Sequence, residues 1–311
     1  MYEPKSGASR VVTLADVFAD FRRARTLAPS TVLNYTVLLD RCLSDWLSRP
    51  IQEITKQEVA QRHFDLSTDA PKQANVVMRV LRALMNFAAC KYEDEKGFPL
   101  VKVNPVKYLS LARAWNKEGP RKVYIKDAQL EPWFRAVNNL KSCSARDFLI
   151  LLALTGLRKG ELASLEWIDV DLDDAVITVR DTKNGEDHSI PLSDYALKLL
   201  SDRRARARRL GSYVFPGRGR SFISANGSLA DPVRLATGLD FTLHDLRRTF
   251  ITVAHTLDFS PYTIKHLANH KAQNDNDVTF RYIQKNPGRL RKPMQQITDY
   301  FAEKSNGALY H

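Results

Sequence analysis

Cysteine is scarce and scattered in this chain. There are three, Cys42, Cys90 and Cys143, and no two share a CxxC spacing. An odd count without paired spacing supports neither a disulfide framework nor a cysteine zinc site, so each reads as an ordinary small core residue. Long apolar runs are missing too. No uninterrupted stretch approaches the roughly 20 residues that span a bilayer, and the opening MYEPKSGASRVVTL has no apolar signal-peptide core. A cytoplasmic chain with no membrane partner is expected. There is no GxxxxGKS/T phosphate loop. The metal-binding HExxH pattern is also absent: His266 and His270 are four apart, but residue 267 is Leu. No acidic cluster resembles a two-metal site. The expectation is a chain without cofactor or metal.

What the chain has in surplus is positive charge. Lys and Arg number 47 against 35 Asp and Glu, a formal net charge of +12 with an isoelectric point near 9.6. Such a surplus draws polyanions, and nucleic acid is the commonest of them. Part of it lies in one run, Arg203, Arg204, Arg206, Arg208 and Arg209. That run fits either a polyanion contact or a solvated helix face. Hydrophobic residues make up 44% and charged residues 26%, as in folded globular chains. At 311 residues two domains are the natural prior.

Residues 13–108 read as almost entirely helical. Thr13-Leu-Ala-Asp is a capping box opening VFADFRRA, and Ser30 or Thr31 could cap TVLNYTVLLDRCLSDWL. KQEVAQRHFDL and KQANVVMRVLRALMNFAACKY add two more helices by apolar spacing. Pro99 and Asn104-Pro105 end this block, and LARAWNKEGPRKVYI, with Gly119-Pro120, reads as a basic linker over about 109–122. The second domain, 123–290, opens with helices in DAQLEPWFRAVNNL and ARDFLILLALTG. Three short strands follow in WIDVDL, AVITVR and HSIPL, with Asn184-Gly185 marking a hairpin turn between the last two. Helices return in YALKLLSDRRARARRL, TLHDLRRTFITVAHTL and SPYTIKHLANH. The tail, 291–311, carries an amphipathic helix with Met294, Ile297, Tyr300 and Phe301 on one side. The fold expected is mainly α with a small three-stranded antiparallel sheet.

Polar residues gather near the ends of these elements. Arg158 follows Thr155-Gly156-Leu157 and could pair with Glu161, three residues on. Lys183 stands just before Asn184-Gly185. His244 and Arg247 share a helix face, with Thr242 as cap and Asp245 completing a capping box. His270 ends a helix started by Ser260 and Pro261, and Tyr282 lies in VTFRYIQ.

In these strings the sequence resembles the tyrosine recombinases, also called the phage-integrase family, and within it the integrases of prophages and genomic islands. TGLRKGELASLEW, TKNGEDHSIPL, HDLRRTF, HLANH and VTFRYIQ occur in the family's order across residues 121–301. The preceding helical block is similar to the family's core-type DNA-binding domain in general pattern only. The resemblance implies a two-domain clamp on double-stranded DNA and a site-specific recombinase. Tyr282 would attack the scissile phosphate, leaving a 3′-phosphotyrosine and a free 5′-hydroxyl. Arg158 and Arg247 would grip the nonbridging oxygens, as planar guanidinium groups do. Lys183 would protonate the departing oxygen, and His244 and His270 would assist proton transfer. The covalent link keeps the bond's energy, so rejoining needs neither ATP nor metal. It also implies a tetramer on paired attachment sites, monomers without DNA, and accessory DNA-bending proteins as further partners. The tail helix would dock on a neighbouring protomer or on its own domain. Many members carry a further N-terminal domain that reads distant arm sites, whereas about twelve residues precede the first expected helix here.

The match departs from the family at two points. Asn269 stands where most members have Gly, and the twelve residues from His270 to Tyr282 exceed the usual spacing. Tyr262 and Tyr300 are rival tyrosines that lack the VTxxY context. A type IB topoisomerase uses nearly the same residues, and a non-enzymatic DNA-binding regulator on the same scaffold is a third reading. For base reading in the major groove, two helices are candidates. One offers Lys72, Asn75 and Arg79, the other Thr31 and Asn34. Each could equally be an ordinary helix surface.

Overall fold

The computed structural model describes residues 11–119, 121–180, 187–207, 211–217, 221–269 and 288–311. The chain divides into two compact units, Met1–Pro120 and Arg121–His311.

In the first unit, helix α1 (Leu14–Ala24) starts where Thr13 and Asp16 close a reciprocal capping box, the Thr13 hydroxyl donating to the Asp16 carboxylate at 2.7 Å. Leu14, Val17, Phe18 and Phe21 recur at helical spacing and are buried. Helix α2 (Pro29–Cys42) is not capped by Ser30 or Thr31: its N-cap is Ala28 and Pro29 occupies the first turn. The ring fixes φ near the helical value, so the helix begins one residue before the hydroxyls could cap it. Helix α3 (Lys56–Asp69) has a second capping box, Thr55 with Glu58. Helix α4 (Pro71–Lys91) buries Ala74, Val77, Met78, Leu81, Leu84, Met85 and Ala88 along one side. Each large side chain so buried contributes about 1.5–3 kcal/mol. A short helix α5 (Lys107–Leu111) follows, held by the Asn104 carboxamide, which donates to the Arg82 carbonyl at 2.9 Å and the Asn86 side chain at 2.8 Å.

The second unit is built around α7 (Cys143–Thr155), on which every residue from Phe148 to Thr155 is buried. Around it pack α6 (Asp127–Asn138), α9 (Asp194–Arg206), α11 (Leu243–Thr256) and α13 (Gly288–Lys304). Between α7 and α9 lie the short α8 (Lys159–Ala163) and a three-stranded antiparallel sheet in the order β1-β2-β3. Its strands are β1 (Val170–Asp171), β2 (Val176–Val179) and β3 (His188–Pro191), with Ile177 opposite Ile190 and Val179 opposite His188. Helices α10 (Asp231–Thr237) and α12 (Pro261–Leu267) complete the unit. The tail helix α13 packs on its own unit. Met294, Ile297 and Phe301 are fully buried, Phe301 meets the Phe134 ring at 6.0 Å, and Thr298 donates to the Ser193 hydroxyl at 2.8 Å.

The cysteine expectation needs correcting: Cys42 is buried, but Cys90 and Cys143 are exposed, because each falls on the outer side of its helix. Among the described residues no helix is long and apolar enough to cross a membrane.

Candidate active site

The site grows from the end of α7. Gly156 closes that helix in the left-handed region, φ +62°, where a side chain is strained, and a Cβ there would collide with the Phe250 ring. The chain can then turn directly into Arg158, the N-cap of α8. The Arg158 backbone N–H donates to Glu161 Oε2 at 2.8 Å and its guanidinium to Oε1 at 2.6 Å. One carboxylate therefore caps α8 and holds the arginine.

Helix α11 supplies the second cation. Its N-terminus is fixed by the Thr242–Asp245 capping box. Asp245, fully buried, also accepts from Arg121 Nε at 2.9 Å and from Arg248. Arg247 is 2% exposed, and it donates to the Gly156 carbonyl at 2.6 Å and to the Ala268 carbonyl. Arg158 donates to the next carbonyl, that of Asn269, at 3.2 Å. Two guanidinium groups from α8 and α11 thus meet at adjacent carbonyls just past the end of α12, the partly negative end of that helix. Asn269 has a φ of +45°. Among side-chain-bearing residues Asn tolerates that region best, so it fits a position where glycine would otherwise serve.

Burial shapes the charge of this cluster. It pulls the Arg247 guanidinium down to about 10, with help from the like charge of Arg158, while Glu161 opposes the shift. His244, on the outer face of α11, is only partly desolvated by its neighbours, and that desolvation, then the charges of Arg248 and Arg247, lowers it. Both causes disfavour the charged form of its ring. His188 on β3 falls to about 4 through burial, against a backbone hydrogen bond at Leu267 and the charge of Glu161. Its Nε2 is buried without a hydrogen-bond partner. The result is a cluster of two guanidinium groups with one balancing carboxylate and a neutral imidazole at His188 beside it, and guanidinium is the donor type that grips a tetrahedral anion.

Of the residues read from the sequence, Arg158, His244 and Arg247 come together here. Lys183, His270 and Tyr282 lie outside the described residues, as do Arg208, Arg209 and the Asn184-Gly185 turn. Glu161 is the partner of Arg158. Both rival tyrosines have other surroundings. The Tyr300 hydroxyl donates to Asp127 at 2.8 Å and its phenol is pushed up to about 12 by burial and that bond. Tyr262, in the first turn of α12, lies under the Lys265 ammonium. Arg203 is not on a solvated face, since it donates to the Val214 carbonyl at 2.7 Å and stacks 4.3 Å from the Phe215 ring centroid. His266 is partly buried on α12.

The base-reading candidates divide. On α2, Asn34 is exposed and Thr31 half-buried. On α4, Lys72 and Arg79 are exposed. Asn75 is not available to read a base: it is 1% exposed, and its carboxamide is engaged by His63, Asn116 and Glu118. Sequence reading passed over His188. Its signal was strand alternation: pairing with Val179 and two-residue spacing from Ile190 set it on the buried face of the sheet.

The model of the phage integrase family matches residues 124–289, and the chain belongs to that family. Prophage integrase IntF of Escherichia coli (strain K12) is 28% identical over 74% of this chain and 50% of its own length. Prophage integrase IntZ of the same strain is 30% identical over 66% and 49% respectively. The chain therefore spans about half the length of these two relatives. Tyrosine recombinase XerA of Pyrococcus furiosus is 23% identical over 86% of this chain and 89% of that protein. Among solved structures, a lambda integrase in a tetramer bound to a Holliday junction shares the fold with a TM-score of 0.67. It is 20% identical, over 88% of this chain and 80% of that one.

Proposed function

We propose that this chain is a site-specific DNA recombinase that cuts and rejoins strands through a 3′-phosphotyrosine at Tyr282, in integration or excision reactions. The observation that carries the reading is the meeting of Arg158 and Arg247 at the carbonyls of Ala268 and Asn269. In the sequence these two residues directly precede His270 and the segment that holds Tyr282. Hydrogen-bond donors fixed around a phosphorus atom stabilise charge as it develops on the nonbridging oxygens, with little reorganisation during the reaction. The tyrosine oxygen forms a bond to phosphorus, and the 5′-oxygen leaves with a proton from Lys183. His244 and His270 serve the proton traffic. Attack by a 5′-hydroxyl reverses the sequence and releases the tyrosine, so no energy source is consumed.

Its partner in this reading is double-stranded DNA bearing attachment sites. The chain is monomeric alone and assembles as four copies on paired sites, with DNA-bending proteins as accessories, in the cytoplasm. Thr31 and Asn34 on α2 and Lys72 and Arg79 on α4 contact the duplex. The test is a suicide substrate nicked near the crossover. Wild type accumulates a covalent protein–DNA adduct that maps to Tyr282, Tyr282→Phe accumulates none, and Tyr300→Phe and Tyr262→Phe still form it. An adduct that persists in Tyr282→Phe, or none in wild type on any candidate site, overturns the proposal.

A further inference from the structure

In the first unit, Lys72, Asn75, Arg79 and Arg82 recur at three- and four-residue spacing and form one stripe along α4. Residues Trp115–Glu118 lie on that stripe as a strap, and the strap is anchored on both sides. The Trp115 indole donates to the Ser110 hydroxyl at 2.9 Å, and the Asn116 carboxamide donates to the Ser67 hydroxyl at 2.7 Å and to the Pro71 carbonyl at 3.0 Å. Asn75 returns a bond to the Asn116 carbonyl at 2.9 Å. The anchoring places the Glu118 carboxylate where one oxygen, Oε1, accepts from Asn75 at 2.5 Å and from Arg79 at 2.7 Å. Above the same spot, the guanidinium groups of Arg79 and Arg82 stand 5.9 and 5.5 Å from the Trp115 ring centroid.

A buried amide and an oriented guanidinium sharing one anionic oxygen, with the Lys72 charge acting on it and Arg82 beside the same indole, are the groups that a DNA phosphate requires. We propose that Asn75, Arg79 and Arg82, braced by Trp115, form a backbone-phosphate site that the Glu118 carboxylate fills until duplex DNA displaces it. The strap is thus an internal competitor for DNA, and Arg79 serves affinity rather than base identity. This rests on the reading of the chain as a DNA-acting enzyme.

Several features make the exchange feasible. Glu118 and Arg79 keep 33% and 47% of their side-chain surface exposed, and an ion pair so open to water is weak and screened by salt. Glu118 is held well below the usual carboxylate range by Asn75 first and Arg79 second, with Lys72 adding its charge, so it stays an anion at every pH at which DNA binds. The anchors at Ser67, Pro71 and Ser110 do not involve the carboxylate. The strap can therefore remain docked while Glu118 swings away.

The test is binding of the full chain to a labelled random-sequence duplex of about 30 base pairs, followed by anisotropy across a salt series. Glu118→Gln keeps an oxygen acceptor and loses the competing charge. It is expected to bind about fivefold more tightly at moderate salt, the scale of one exposed ion pair. Arg79→Ala should bind more weakly and lower the salt slope by about one. In the Arg79→Ala background, Glu118→Gln should gain nothing. Unchanged or weaker binding by Glu118→Gln overturns the proposal, as does an equal gain in both backgrounds, which would mark a long-range charge effect. Should Glu118→Gln fail to fold, Glu118→Ala, which removes the carboxylate altogether, carries the same expectation. If wild type binds and forms its tyrosine adduct while these variants behave alike, only this inference fails. If wild type binds no duplex, the recombinase reading falls with it.

Discussion

The Arg247 guanidinium donates to the carbonyl of Gly156, 91 residues away in the chain, at 2.6 Å. The bond ties the helix turn that launches Arg158 to the helix that presents His244, so both elements are held at one point. Gly156 meets three demands at once: a left-handed φ, close approach to Phe250, and a carbonyl aimed at the arginine.

Gly156→Ala should therefore disturb both stability and the site. The strained φ and the clash with Phe250 together should cost about 2–4 kcal/mol, read as a lower urea midpoint with an unchanged slope. Adduct formation should fall further than the unfolded fraction explains. A variant that unfolds earlier but reacts at full rate when folded would separate Gly156 from the chemistry.

Glu161 and Arg158 make a second graded pair. In the proposed reaction Arg158 donates to the phosphate, so Arg158→Ala should slow adduct formation about 10²–10³-fold, the usual effect of losing one such group. Glu161→Gln keeps one acceptor oxygen, replaces the other with an NH2 that cannot accept from Arg158, and removes the charge, so about a tenfold loss is expected. Single-turnover rates on the nicked substrate distinguish the two. Losses that add in full in the Arg158→Ala, Glu161→Gln double variant would mean that Glu161 acts on the substrate itself rather than through Arg158.

The features legible beforehand were those set by local chemistry. Thr13 with Asp16 and Thr242 with Asp245 satisfy helix ends within four residues, so their boxes could be read directly and both are present. Ser30 and Thr31 misled because the ring of Pro29, beside them, starts α2 first. Asn75 reads from the sequence as a base-reading candidate or plain helix surface, and α4 alone would leave it exposed. It is covered by Asn116, 41 residues later, and no periodicity within α4 carries that information. The same holds at the site. Arg158, His244 and Arg247 are side chains in recognisable strings, whereas the groups that aim the arginines are carbonyls of Gly156, Ala268 and Asn269. Main-chain acceptors have no residue type and become visible only once the chain is folded.

His188 gives the site a pH signature that can be isolated. Burial lowers it from 6.5 to about 4, so between those values the unfolded chain holds a proton that the folded chain does not. Stability must then rise with pH across that window, be complete above about 6.5, and decline as pH falls toward 4. Its neighbours divide in sign: Glu161 favours the proton, while Arg247 and His266 oppose it. His244 is shifted in the same direction and adds to the trend, so subtraction is needed. His188→Gln removes the titration and keeps a polar side chain on β3. Between pH 7.5 and 5, wild type should lose about 2 kcal/mol more stability than the variant, from about 1.36 kcal/mol per unit over the part of the shift that interval samples. Urea midpoints for both proteins at the two pH values measure this difference directly. Parallel losses would mean that the His188 ring takes up its proton in the folded chain as readily as in the unfolded one.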